Sequence, residues 1–154
     1  RIGQCEKHDA GISFYGVYYG QAALPHAPES LSYLDNSVIR GLKVYNVETS
    51  SDIPVYDLSA AAGRDPYEMF LGGARSLITV KNPNTEKERR LVVFRDSFGS
   101  SIAPLLTAGY SEITLVDIRY ISPSALGKLI DFTKADDALF LYSASVINNS
   151  ETIK

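Results

Sequence analysis

A three-layer α/β/α sandwich on a mostly parallel sheet, opened by an antiparallel hairpin strand, is the fold class this sequence predicts. Three observations carry it. From residue 90 onward, short apolar runs at 90–94, 113–116 and 138–142 alternate with stretches of helical spacing. Strand, helix, strand, helix, strand implies parallel pairing through right-handed crossovers. Ahead of that series, 76–81 and 90–94 flank Asn82-Pro-Asn-Thr-Glu-Lys-Glu-Arg89, whose turn formers and mixed charges suit a solvated hairpin tip. With 154 residues, 45% of them hydrophobic, the chain can bury one core, and two full domains are not expected.

The elements justify themselves in order. Residues 1–13 are polar and without clear pattern, and are expected to form a flexible lead-in to a single domain over 14–154. Residues 14–21 are dense in aromatics with two glycines, which suits a packed loop or short helix. Leu24-Pro25-His26-Ala27-Pro28 is irregular, because each proline biases its predecessor away from helix. Residues 28–34 suggest one or two helical turns. Strands are predicted at 43–47 and 54–58, then a helix over 65–71 with Asp65 as N-cap, Pro66 at its first position and Gly72-Gly73 as its stop.

Strand 91–94 is apolar enough to be buried on both faces, and it breaks into Asp96-Ser97 before Ile102, Leu105 and Leu106 recur at helical spacing. Ser100 or Ser101 suits the cap of that helix, with Pro104 in its first turn and Gly109 as its stop. A further helix is predicted over 123–133, and 148–151 closes the chain as a polar tail.

Composition excludes several functions. Lys and Arg total 15 against 18 Asp and Glu, a net charge of −3, so no nucleic-acid groove is expected. No run approaches the roughly 18 to 20 apolar residues of a membrane span. Cys5 is the single cysteine and has no internal partner. No Cys or His cluster has ligand spacing, and Asp136-Asp137 suits a turn, so neither metal nor cofactor is predicted. Ser97-Phe-Gly-Ser-Ser101 lacks the lysine and glycine spacing of a phosphate-binding loop.

Chemistry is expected where the strands end. Asp96-Ser97 follows one strand and Asp117 to Tyr120 the next, so the two loops should be neighbours at one edge of the sheet. A serine on a strand-to-helix turn has its own N–H as a first oxyanion donor, beside a helix start that favours negative charge, and Arg119 would supply a second donor. The plainer reading makes Ser97 a cap, Asp96 an acceptor of free N–H groups and Arg119 an ion-pair partner.

Phe70-Leu-Gly-Gly73, Ile78-Thr-Val-Lys-Asn-Pro83, Arg95-Asp-Ser-Phe-Gly-Ser-Ser101, Gly109-Tyr110 and Leu115-Val-Asp-Ile-Arg-Tyr120 together resemble the C-terminal half of the bacterial DHHW protein family. That family is similar to the SGNH-hydrolase-like domains of alginate O-acetyltransferases. The resemblance runs from about Phe14 to the end and implies an SGNH-hydrolase or flavodoxin-like sheet. It also implies a cell-envelope location and an esterase or O-acyltransferase acting on O-acyl groups of a carbohydrate.

In such relatives the serine of the Asp-Ser-Phe motif is the nucleophile of a Ser-His-Asp triad. The resemblance therefore places that role on Ser97, an oxyanion role on Arg119, and supporting roles on Asp96 and Tyr120. The family's histidine and aspartate come from an upstream Asp-x-His-Trp segment, whereas this sequence has no tryptophan. His8 and His26 are its only histidines. A serine without a base has little nucleophilicity, so these residues alone are expected to show little or no turnover, as the C-terminal part of a longer protein. A missing amino-terminal portion would also uncover apolar surface and favour self-association. The rival expectation is a non-catalytic module that holds a glycan in the Ser97 crevice.

Overall fold

The computed structural model describes residues 3–16, 25, 27–149 and 151. Expectations that fall on residues 17–24, His26 and Ser150 lie outside the described residues. Among the described residues eight strands form two sheets: β1 (Glu6–Phe14) pairs with β2 (Glu29–Asp35), and six more form a mixed sheet in the order β4-β3-β5-β7-β6-β8. These are β3 (Lys43–Asn46), β4 (Ser51–Ile53), β5 (Leu77–Lys81), β6 (Arg90–Arg95), β7 (Glu112–Val116) and β8 (Asp137–Leu141). The helices among these residues are α1 (Ser37–Arg40), α2 (Gly99–Leu106), α3 (Pro123–Leu129) and α4 (Ala144–Asn148), with 3-10 turns at Ala60–Ala62, Pro66–Met69 and Phe132–Lys134.

The sheet is not the mostly parallel one expected. β6 is parallel to β7 and β8, but β3–β4, β3–β5 and β5–β7 are antiparallel. Nor do β5 and β6 form a hairpin, because β7 lies between them. The connection 82–89 is long enough to cross the gap of about 10 Å between next-nearest strands. Ser111, just ahead of β7, bonds both neighbours: its carbonyl accepts from Asn82 N at 2.8 Å and its N–H donates to Arg89 O at 2.9 Å.

Residues 6–14 are a strand and not a flexible lead-in. Ala10, Ile12 and Phe14 alternate onto the core formed by Leu31, Ala61, Met69 and Phe70, a period of two within an otherwise polar stretch. Residues 28–34 likewise enter a strand instead of helical turns, since pairing with β1 buries Leu31 and half-buries Tyr33. Residues 54–58 contribute only the Tyr56–Phe70 bridge. The helix expected over 65–71 is the short 3-10 turn, with Asp65 accepting from Tyr67 N at 3.0 Å and Pro66 in its first turn.

Alternation along β5, β6 and β7 splits the core in two. Ile78, Val80, Leu91, Val93, Ile113 and Leu115 face Ala103 and Leu106 of α2. Leu77, Val92 and Val116 face Ile121, ahead of α3, and Leu126 within it. Apolar residues on both faces explain why 91–94 is continuous in hydrophobicity.

α2 begins at Gly99, earlier than predicted, because backbone bonds already close over the turn: Gly99 N to Asp96 O at 3.1 Å and Ser100 N to Ser97 O at 3.0 Å. Pro104 therefore lies inside the helix, and no side-chain cap from Ser100 or Ser101 is present. The helix predicted to 133 ends at Leu129 and resumes as the 3-10 turn Phe132–Lys134, while α4 precedes the polar tail.

Candidate functional site

β6, β7 and β8 run the same way, so their carboxyl ends converge. Arg95 is level with Leu141, and Phe94 with both Val116 and Phe140. The next residues are Asp96-Ser97, Asp117 to Tyr120, and Tyr142-Ser143. The crevice beyond such ends is where open α/β sheets bind ligands.

Asp96 is buried and holds two of these loops together. One carboxylate oxygen accepts from Phe98 N at 3.0 Å and the other from Ser143 N at 2.6 Å. Charge-assisted bonds of this kind are the stronger class, and they make Asp96 a brace for the turn that carries Ser97. Ser97 itself is half-buried, and among the described residues neither its hydroxyl nor its backbone N–H has a hydrogen-bond partner. The hydroxyl does not cap α2, whose N-cap position is Phe98.

Below the turn lies a charged cluster. Arg95 is 0% exposed; its guanidinium donates to Asp96 O and to Arg75 O, each at 3.3 Å, and stands 4.0 Å from Asp117 Oδ2. Its Nε has no partner among the described residues. Burial pushes the Arg95 guanidinium below its ordinary pKa, against the pull of Asp117. Gly99 is required here, because a Cβ at that position would lie 2.6 Å from Arg95 Cβ.

Asp117 is also buried and takes Arg119 in a bidentate grip, from Nε at 2.9 Å and Nη2 at 2.6 Å, while Arg119 N donates at 3.1 Å. The hydrogen bonds to Asp117 push the Arg119 guanidinium up. Two of the side chain's five N–H donors are thereby committed. The guanidinium also lies 5.3 Å from the ring centre of Tyr120, which is exposed. Arg119 is thus an ion-pair partner at the crevice, as the plainer sequence reading has it.

Two tyrosines complete the setting. Tyr67 donates to Ser101 Oγ at 2.7 Å and so ties the Pro66–Met69 turn to α2. The Tyr142 hydroxyl is buried without a partner among the described residues, and burial, then the Asp117 and Asp96 carboxylates, push its pKa up. The sequence reading did not single out Tyr142, Ser143 or Tyr67, nor the buried Arg95. For Tyr142 the local signal was absent: it closes the apolar run 138–142 and joins the site only because β8 lies beside β6.

His8 is elsewhere. It sits in β1, stacked on Tyr33 at 5.3 Å and 3.7 Å from Glu6. No histidine contacts Ser97 among the described residues. Likewise among these residues, no group of three or more His, Cys, Asp or Glu is placed to hold a metal ion, and no helix is long and apolar enough to cross a membrane.

No family model and no curated protein matches the sequence. Solved structures do match the fold. PatB1 of Bacillus cereus with a sulfonyl adduct is 20% identical at a TM-score of 0.69, over 96% of this chain and 49% of that one. A DHHW family protein from Eubacterium siraeum DSM 15702 is 19% identical at 0.70, over 99% and 52%. A second structure of Bacillus cereus PatB1 is 19% identical at 0.66, over 96% and 51%. The chain therefore spans about half the length of the structures it resembles.

Proposed function

We propose that this chain is an SGNH-like ester-handling domain, an esterase or O-acyltransferase for carbohydrate O-acyl groups in the bacterial cell envelope, with Ser97 as its nucleophile. The observation that carries the reading is the state of Ser97. Among the described residues its hydroxyl and N–H are both uncommitted, on a turn braced by Asp96 at the converging ends of three parallel strands. A sulfonyl adduct on a protein of the same fold supports it, because sulfonyl reagents form adducts with nucleophilic side chains.

In this mechanism Ser97 Oγ attacks the acyl carbonyl carbon while a base takes its proton. The carbonyl oxygen becomes an oxyanion beside the Ser97 N–H and the amino end of α2. The carbonyl re-forms as the sugar oxygen leaves with the proton, and water or an acceptor hydroxyl then releases the acyl group from Ser97. The reading leaves Asp96 as the brace of the turn, through the N–H bonds that both of its oxygens accept, and gives the proton transfer to another group. The resemblance assigns the base to an Asp-x-His-Trp segment, and the remaining donors of Arg119 supply the second oxyanion contact, with Tyr120 behind it.

The test uses the polypeptide encoded by the whole reading frame, with and without Ser97→Ala. The reading expects acetyl-ester hydrolysis and a single aryl-sulfonyl mass increment on Ser97, both abolished in the variant. Turnover that survives Ser97→Ala, or no turnover at all, would overturn it in favour of a non-catalytic glycan-binding module.

A further inference from the structure

Positions 94, 132 and 140 are phenylalanines from three different elements whose rings lie almost parallel. Phe94 on β6 stands 4.8 Å from Phe140 on β8 with 8° between ring planes, and 6.3 Å from Phe132 with 14°. Strand pairing forces the first contact, because Phe94 and Phe140 are direct partners in the parallel ladder. The stack presents its rings in a fixed orientation.

β8 is the outermost strand on this side of the sheet, and its neighbour on the same face, Ala138, brings only a methyl group. Phe140 is 68% exposed and Phe132 42%. Exposed rings on an edge strand offer a surface on which a flat apolar group can stack. Two residues further along the same strands, a step of about 7 Å, come Asp96 and Tyr142 of the candidate site.

We propose that Phe140, backed by Phe94, is a sugar-stacking subsite beside the Ser97 crevice, for pyranoses whose hydroxyls are equatorial. The proposal deepens the functional reading above and rests on it for the delivery of an acyl group to Ser97. A pyranose with equatorial hydroxyls has a flat face of axial C–H bonds, whose positive hydrogens match the negative face of a phenyl ring. Its hydroxyls stay at the rim, where Asp131, Thr133 and Lys134 flank Phe132. A nucleobase would also stack, but Lys134 and Arg89 are already paired with Asp131 and Asp137 and so are not free to hold its phosphates. A stable protein interface needs roughly 800 Å² from each partner, more than two exposed rings provide.

Saturation-transfer NMR on the full chain, with cellotetraose and chitotetraose as probes, tests this. Saturation should reach the axial C–H protons of the sugar, Phe140→Ala should weaken binding about five- to tenfold, and Phe140→Trp should restore it. Absence of saturation in the parent chain, or unchanged affinity in Phe140→Ala, overturns the proposal. So does a dimer by sedimentation that Phe140→Ala converts to a monomer. Phe140-dependent binding without Ser97-dependent turnover would sink the catalytic reading and leave this one standing; the converse would do the reverse.

Discussion

The Asp96 carboxylate accepts the backbone N–H of Ser143 at 2.6 Å, and through that bond the loop after β6 is tied to the loop after β8. The same carboxylate closes the turn at Phe98, so one buried side chain sets where Ser97 stands relative to two strand ends.

Asp96→Asn keeps one acceptor oxygen and turns an amide against the other N–H. Chemical denaturation should show a loss of about 1–3 kcal/mol, the cost of an unsatisfied buried donor. Amide exchange at Ser143 or Phe98 should speed up more than at core positions of β7. Unchanged exchange at both would show that Asp96 does not brace the turn.

Gly99→Ala sets two effects against each other. Alanine in a helix is worth about 1 kcal/mol over glycine, yet its methyl would meet Arg95 Cβ at 2.6 Å and Cγ at 2.9 Å, atoms at the base of a buried side chain. Overpacking of about 1–3 kcal/mol should prevail, so Tm should fall. A rise in Tm would mean that α2 shifts freely against β6.

Asp117→Ala strips the carboxylate from two guanidiniums, one of them fully buried. Leaving a buried cation uncompensated costs about 3–5 kcal/mol. Arg95→Met should cost clearly less, because Asp117 keeps Arg119 and the methionine fills the space beside Gly99. Equal losses in the two variants would contradict this division of the cluster.

Alkaline stability should be set in part by Tyr56, which donates to Leu34 O at 2.7 Å and whose pKa burial pushes from 10.0 up to about 12. A phenol with a raised folded pKa loses its proton first in the unfolded state, so its contribution is complete below pH 10 and disappears as pH rises through about 12. Burial raises Tyr67 and Tyr142 in the same direction. Denaturation midpoints should fall across that window, and Tyr56→Phe should flatten the fall. An unaltered slope in Tyr56→Phe would assign the dependence to other groups.

Of the fold, the alternation of strand and helix after residue 90 was legible, because residues buried on both faces must be apolar in succession and helices must repeat near 3.6. β1 was partly legible in the alternation of Ala10, Ile12 and Phe14. It was obscured because half-buried strands carry polar residues on the other face, and because Leu31 and Leu34 in β2 imitate helical spacing. Within the site, Asp96-Ser97 and Asp117 stood out where apolar runs break, whereas Tyr142 resembled any of the ten tyrosines until β8 was placed beside β6.

Local sequence by itself determined which segments become strands and helices around the candidate site, and that a serine lies on the turn between β6 and α2. Propensity, hydrophobic period and turn chemistry are properties of neighbours along the chain. Tertiary structure alone decided that β7 enters between β5 and β6, which turned an expected hairpin into a mixed sheet. It also decided that Asp117 is spent on Arg119 and Arg95, and that Phe94 and Phe140 share a stack. Strand order and the partners of charged groups depend on which distant residues are brought level with one another, and no local pattern records that register.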